Sequence, residues 1–208
     1  MTGPGAKISP TGLPKGWPPE VTYIRVPIYS KKLPTYALNS LKSPSTASFK
    51  PNPIPTAVGP SRNVRINAIS NTSHPAHGQY GLFAAQHLPP DTLIIPYLGF
   101  VHGKEDVDPA SDYDLSLDRE AGIGVDATKM GNEARFINDY RGVGPSGPNA
   151  EFRETWVDIG NGETEKRMGV FVLSAGKSGK RSKGIAKGEE ILVSYGKGFW
   201  TERQNERA

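Results

Sequence analysis

Two stretches of the chain carry polar groups where polar groups have no structural reason to be. Residues 131–149, GNEARFINDYRGVGPSGPN, run through Ala134, Arg135, Phe136 and Ile137 as a short apolar-looking segment and arrive at Asn138. Residues 188–196, GEEILVSYG, repeat the arrangement: Glu190, Ile191, Leu192 and Val193 lead to Tyr195 and Gly196. An amide donates and accepts hydrogen bonds, and a phenol does the same through one oxygen. Two apolar strands that each end on such a group predict a site assembled where strands terminate.

Other chemistries are poorly supplied. The 208 residues include no cysteine, which excludes disulfides and thiolate-ligated metals. The four histidines, His74, His77, His87 and His102, show no paired spacing with carboxylates, and no metal site is expected. A net charge of +4 permits a polyanionic partner without requiring one. A basic loop, GKSGKRSKG at 176–184, places Lys177, Lys180, Arg181 and Lys183 among Gly and Ser. No aromatic residue is interleaved for base stacking, so a solvated surface loop is the simpler reading of 177–183. No apolar run approaches a membrane span and no signal-peptide core is evident, which predicts a soluble intracellular protein.

The elements that must position the two polar groups follow from pattern. Residues 1–62 hold most of the 19 prolines and predict an extended arm, partly ordered against the domain or disordered. From Asn63 onward the chain reads as short β runs broken by Gly and Pro. VRINAI at 64–69, YGLFAAQHL from 80, the pair within TLIIPYLGFV from 92, and DYDLSLD at 112–118 are strand candidates, the last with Tyr113, Leu115 and Leu117 on one face. Asp126-Ala127-Thr128 is read as a cap for one helical turn. AEFRETWVDI at 150–159 and MGVFVLSA at 168–175 are two further strands, joined by GNGETEKR with Asn161-Gly162 as a hairpin signal. With 36% hydrophobic residues the chain can fill one core.

The order of these pieces resembles the SET-domain family of protein lysine methyltransferases over roughly residues 63–200. Four signposts carry the resemblance: GQYGLFA at 78–84, PYLG at 96–99, GNEARFIND with Pro148-Asn149 downstream, and GEEILVSYG. The family's central pattern reads RFINHSCxPN and its last GEELxxxYG. This chain departs from it with Asp139 in place of the usual His, Tyr140-Arg141-Gly142 in place of Ser-Cys, and a longer loop before Pro148. It also has Pro96 where an acidic residue commonly precedes the strand tyrosine, and none of the family's zinc-binding cysteine clusters.

The resemblance implies a mainly β fold with short helices, a SET-type β-clip of several small sheets whose C-terminal segment threads beneath a preceding loop as a pseudoknot. It divides the chain into the arm 1–62, the SET domain 63–200 and a tail 201–208. The implied reaction is methyl transfer from S-adenosylmethionine to a protein lysine, with no metal, by an in-line displacement that rests on collinear positioning. The lysine must arrive neutral, and a narrow aromatic channel disfavours its ammonium form by desolvation. By the same resemblance Tyr195 lines that channel at the transfer point, with Tyr113 as a second channel residue. Tyr80, Gly81, Tyr97, Arg135, Phe136, Asn138, Asp139 and Trp200 are the expected donor-binding residues. Asn138 offers its amide to the ammonium and carboxylate of the donor, Gly81 permits close backbone approach, and Trp200 or Phe199 offers an aromatic face.

Histone or nucleosome is the family's commonest substrate, which favours the nucleus slightly over the cytoplasm for a monomeric enzyme. A different class of function is a catalytically silent SET-like module that binds a peptide or chromatin partner, favoured by the altered Asn-Asp-Tyr-Arg sequence. A nucleic-acid-binding β domain working through the basic loop is a third reading, and predicts binding that falls steeply with salt.

Overall fold

The computed structural model describes residues 12–44, 60–144, 147–177, 179 and 181–196. Among the described residues strands dominate, in several small sheets, with one α-helix, Thr35–Ser40, and short 3-10 turns. No helix among the described residues is long and apolar enough to cross a membrane.

Alternation places the first domain strand. In Val64–Ala68 the side chains of Val64 and Ile66 are buried and those of Arg65 and Asn67 exposed, and the strand pairs antiparallel with Tyr80–Ala84. Leu82, Ile94, Ile95, Val101, Ile123, Val125, Val170, Ile185 and Ile191, drawn from several of the sheets and the segments between them, belong to one core cluster.

The longest element is the hairpin of Ala150–Gly160 and Glu163–Val172. Asn161 (φ 56°) and Gly162 (φ 75°) form its turn, the left-handed pair that a two-residue hairpin requires. Its second strand begins five residues earlier than the sequence suggests, because the charged run Glu163–Arg167 is itself strand. That strand is central: it pairs with 150–160 on one edge, and with Lys42–Pro44 and Leu93–Pro96 on the other. The charges of Glu165, Lys166 and Arg167 are matched rather than solvated. The Tyr29 hydroxyl donates to Glu165, Arg167 Nε donates to Glu165 at 2.8 Å, and Lys166 Nζ donates to Asp118 at 3.0 Å.

Two other local expectations are corrected. Asp126-Ala127-Thr128 starts no helix. Asp126 ends the strand Ile123–Asp126, and its Oδ1 accepts from Thr128 N (2.9 Å), Thr128 Oγ1 (2.7 Å) and Ser111 Oγ (2.8 Å), which is a side-chain-closed turn. The segment before Asn138 is also no strand: Glu133–Phe136 is a 3-10 turn. Buried polar groups fix it. Glu133, 2% exposed, accepts from the Tyr23 hydroxyl (3.1 Å) and Ser61 N (2.8 Å), while Asn132 bridges Pro96 O and Leu98 N.

Described parts of the proline-rich arm pair with the domain. Thr22–Tyr23 lies parallel to Met130–Gly131, and Ile28–Tyr29 parallel to Phe100–His102. These strands have two residues each and sit at sheet edges, with Pro27 immediately before one of them, where the missing N–H is tolerated. Pro34 stands at the N-cap of the helix, where its fixed φ suits the entry. Residues 1–11 and 45–59 lie outside the described residues.

The last strand among the described residues, Leu192–Val193, runs parallel to Asn138–Asp139. Tyr140 N donates to Val193 O at 2.9 Å on one side, and Asn149 N donates to Leu192 O at 3.0 Å on the other. The last strand is therefore held between the two ends of the loop 140–149, the threaded arrangement that the resemblance implies.

Candidate active site

The pairing of 138–139 with 192–193 sets the geometry. Asn138 stands on the first strand and Tyr195 two residues beyond the second. The Tyr195 hydroxyl reaches back and donates to Ile137 O at 2.5 Å. Its backbone N–H donates to Asp139 Oδ2 at 2.7 Å. Burial pushes the Tyr195 phenol above its ordinary value, with Tyr113, Asp139 and Glu190 adding to the effect, so it stays a neutral hydroxyl.

Asn138 spends its amide nitrogen on two acceptors, Tyr80 O at 3.3 Å and Glu190 Oε1 at 2.9 Å. Among the described residues no group donates to its Oδ1, which leaves one open acceptor at the site. Gly81 lies directly beneath. A Cβ there would stand 2.6 Å from Glu190 Oε1 and 3.1 Å from Asn138 Nδ2, so only glycine lets these side chains close over the strand. The neighbouring Tyr80 is 46% exposed and meets Phe136 edge-on, with ring centroids 6.1 Å apart.

A second group borders the first. The Tyr97 hydroxyl donates to Tyr113 O at 2.7 Å, and burial raises the Tyr97 phenol, with Tyr195 the next contributor. The Arg135 guanidinium lies 4.4 Å from the centroid of the Tyr113 ring and donates through Nε to Ala127 O at 3.0 Å. Phe136 is buried against Trp17, with centroids 5.7 Å apart. Asp139 is turned inward, its side chain 4% exposed, onto Arg141 N (2.8 Å), Arg141 Nη1 (2.7 Å) and Tyr195 N.

The structure thus brings Tyr80, Gly81, Asn138, Asp139 and Tyr195 into one hydrogen-bonded and packed network. Tyr97, Tyr113 and Arg135 form the adjoining cluster, and Phe136 lies under Tyr80. Trp200 and Phe199 lie outside the described residues. Lys177, Arg181 and Lys183 of the basic loop are exposed, and Lys180 is outside the description. No cluster of His, Asp and Glu that could hold a metal ion occurs among the described residues.

A family comparison meets this geometry directly: the SET domain model matches residues 79–196, over half of the chain and the whole of this network. The chain belongs to the SET-domain family. Solved structures similar to this SET domain are chains of polycomb repressive complex 2. One from Chaetomium thermophilum, in an autoinhibited conformation bound to S-adenosylmethionine, aligns at 24% identity and TM-score 0.48 over 71% of this chain and 17% of that one. A crystal structure of the same complex aligns at 24% and 0.48, over 69% and 16%. An active complex in the stimulated state aligns at 26% and 0.46, over 65% and 15%. This chain spans about a sixth of the length of those chains. No curated protein matches it.

Three residues of the SET domain's network were not singled out by sequence. Glu190 joins Asn138 to His74, whose Nε2 donates to Glu190 Oε2 at 3.1 Å. Asn149 fastens the terminal strand: Oδ1 accepts from Leu192 N (2.8 Å), and Nδ2 donates to Glu190 O (2.8 Å) and Glu189 Oε1 (3.2 Å). The second acid of GEE and the Asn of Pro148-Asn149 were visible as motif letters. His74 gave no signal, since its carboxylate lies 116 residues away.

Proposed function

We propose that this SET domain is an S-adenosylmethionine-dependent protein-lysine N-methyltransferase. The observation that carries the reading is the convergence of the Tyr195 hydroxyl, the Ile137 carbonyl and the Asn138 amide at the junction of two parallel strands.

The donor set suits S-adenosylmethionine. That molecule carries two cationic centres, an ammonium and a sulfonium, and the site offers acceptors: Asn138 Oδ1, backbone carbonyls and the exposed face of Tyr80. The positive side chains nearby, Arg135 and Arg141, are turned to protein partners. When bound, S-adenosylmethionine supplies an electrophilic methyl group whose bond to sulfur breaks, with the electron pair kept by sulfur, as the lysine nitrogen bonds to carbon.

The chain's own residues position and desolvate. Because the Tyr195 proton is committed to Ile137 O, the phenol oxygen faces an incoming amine only as an acceptor. It takes one N–H of the lysine and thereby aims the nitrogen lone pair. Tyr195 with Tyr97 and Tyr113 gives an aromatic, low-dielectric surround that disfavours the lysine ammonium. No residue is required as a base: the lysine ammonium gives its proton to solvent before the neutral amine enters, and transfer leaves the product as a methylated ammonium beside the neutral thioether.

The test is transfer of a labelled methyl group from S-adenosylmethionine to histones, nucleosomes and whole-cell extract. Labelled lysine in the wild type, reduced about a hundredfold in Tyr195→Phe and Asn138→Ala, is the expected result, given that a misplaced reacting group costs roughly that much. Neither transfer nor calorimetric donor binding would leave the catalytically silent binding module in its place.

A further inference from the structure

We propose that Asp139 and Glu190 form a reciprocal brace, in which each of the two segments that carry the parallel strands supplies the carboxylate that fixes the functional residue of the other. The inference rests on the methyltransferase reading and assigns both acids, with His74, as positioning residues.

The hydrogen-bond accounting is specific to each acid. Asp139 belongs to the first strand, and its carboxylate reaches the second, accepting from the backbone N–H of Tyr195. Its remaining capacity goes to Arg141 N and Arg141 Nη1. The carboxylate, with only 4% of its side chain exposed, therefore has its hydrogen-bonding capacity filled by two backbone N–H groups and a guanidinium. Here the chain departs from the family pattern Asn-His-Ser-Cys. The substituted Asp139 and Arg141 occupy one another and the tyrosine backbone, so Asp139 presents no oxygen to a ligand that is not already engaged.

Glu190 precedes the second strand and reaches the first. Oε1 accepts from Asn138 Nδ2 at 2.9 Å, and Oε2 from His74 Nε2 at 3.1 Å. His74 Nδ1 accepts from Ala76 N at 3.0 Å, so the ring proton belongs on Nε2 and a neutral imidazole suffices as donor. The consequence falls on Asn138. The two ends of an amide are nearly alike in shape and opposite in polarity. With Tyr80 O and Glu190 both demanding its N–H groups, Oδ1 must face the site. Without Glu190 a half-turn of the amide would present N–H groups to a cationic ligand. Glu190 therefore selects the polarity that receives an ammonium, while Asp139 sets where the Tyr195 hydroxyl stands.

The two arms separate in kinetics. The full chain and its variants are compared by calorimetric binding of S-adenosylmethionine, by initial rates of labelled methyl transfer to mixed histones, and by thermal unfolding. Glu190→Gln and His74→Ala weaken donor affinity about tenfold or more, while His74→Gln, which keeps an N–H for Glu190, stays within about threefold of wild type. Asp139→Asn lowers kcat about tenfold or more with donor affinity held within about threefold. If it does not fold, Asp139→Glu, which keeps the charge but lengthens the arm, carries the same kcat test. Donor affinity unchanged in Glu190→Gln overturns the brace, as does an Asp139 variant that loses donor affinity in step with kcat or keeps full kcat. A wild type that binds no S-adenosylmethionine instead overturns the methyltransferase reading on which the brace depends.

Discussion

Gly81→Ala is the most economical probe of how the site is built. Gly81 does not have a positive φ, so alanine meets no backbone strain there, and in a strand interior it gains about 0.5–1 kcal/mol over glycine. Against that gain, the new Cβ would lie 2.6 Å from Glu190 Oε1 and 3.1 Å from both Asn138 Nδ2 and Phe83 Cε2. Glu190 must retreat by at least about 0.4 Å to reach the closest approach real Cβ atoms make. It cannot do so freely, because Asn138 and His74 hold its two oxygens. A hydrogen bond to a charged group is worth about 1.5–3 kcal/mol, so losing most of one leaves a net cost of about 1–2 kcal/mol. For a domain of this size that lowers Tm by about 2–8 °C. Released from Glu190, Asn138 no longer fixes its polarity, and affinity for S-adenosylmethionine falls about tenfold. Scanning calorimetry and titration calorimetry on the same preparation read both numbers. A Gly81→Ala protein that melts and binds as wild type would refute the packing argument, and one that melts lower but binds normally would refute the link between Gly81 and Asn138.

Asn149→Ala removes the side chain that joins Leu192 N, Glu190 O and Glu189 to the hairpin base. Two backbone groups lose their partner, and the expected loss is about 2–4 kcal/mol by denaturant unfolding, with donor binding lost before the global transition. Glu133→Ala strands the buried Tyr23 hydroxyl and leaves the part-buried Ser61 N without its acceptor, and is expected to cost about 2–3 kcal/mol by the same measurement. Asp114 offers a pH test. Burial raises its carboxyl above the ordinary 3.8, with Asp126 raising it further and His102, which donates to Oδ1 at 3.1 Å, lowering it. The folded state therefore binds this proton more tightly than the unfolded chain, and stability is lost as pH rises from about 3.8 through the folded value. Asp114→Asn keeps an acceptor for His102 and removes that loss, so its Tm advantage over wild type should grow across this window and then level off; an advantage that shrinks with pH contradicts the assignment.

What the sequence disclosed and what it hid have physical reasons. The strands at 64–68, 80–84 and 93–96 follow apolar patterning, and Asn161-Gly162 marks its hairpin because few other pairs accept two positive φ angles. The run Glu163–Arg167 hides a central strand because its charges are satisfied by Tyr29 and Asp118, residues from distant parts of the chain. Ala134 to Ile137 look like strand, yet the buried carboxylate of Glu133 and the amide of Asn132 force a 3-10 turn. The approach of Tyr195 to Asn138 was legible only through the order of motifs. Nothing in local periodicity pairs residues more than fifty positions apart. His74 and Glu190 lie further apart still, and a single histidine in a polar turn carries no mark of the carboxylate it will meet.

The parallel pairing of 192–193 with 138–139 has a consequence for biosynthesis. Every parallel pair among the described residues joins segments more than fifty residues apart: 22–23 with 130–131, 28–29 with 100–102, and 138–139 with 192–193. A chain emerging from the ribosome therefore carries these early segments unpaired until their distant partners emerge, and Asn138 waits, uncommitted, until Glu190 and Tyr195 have cleared the exit tunnel. Such topology predicts slow refolding and a late, single acquisition of donor affinity, because the loop closures must be made before the contacts that reward them. Nascent chains stalled before residue 190 should bind chaperones rather than S-adenosylmethionine, and the cell meets this protein first as an unfinished sheet.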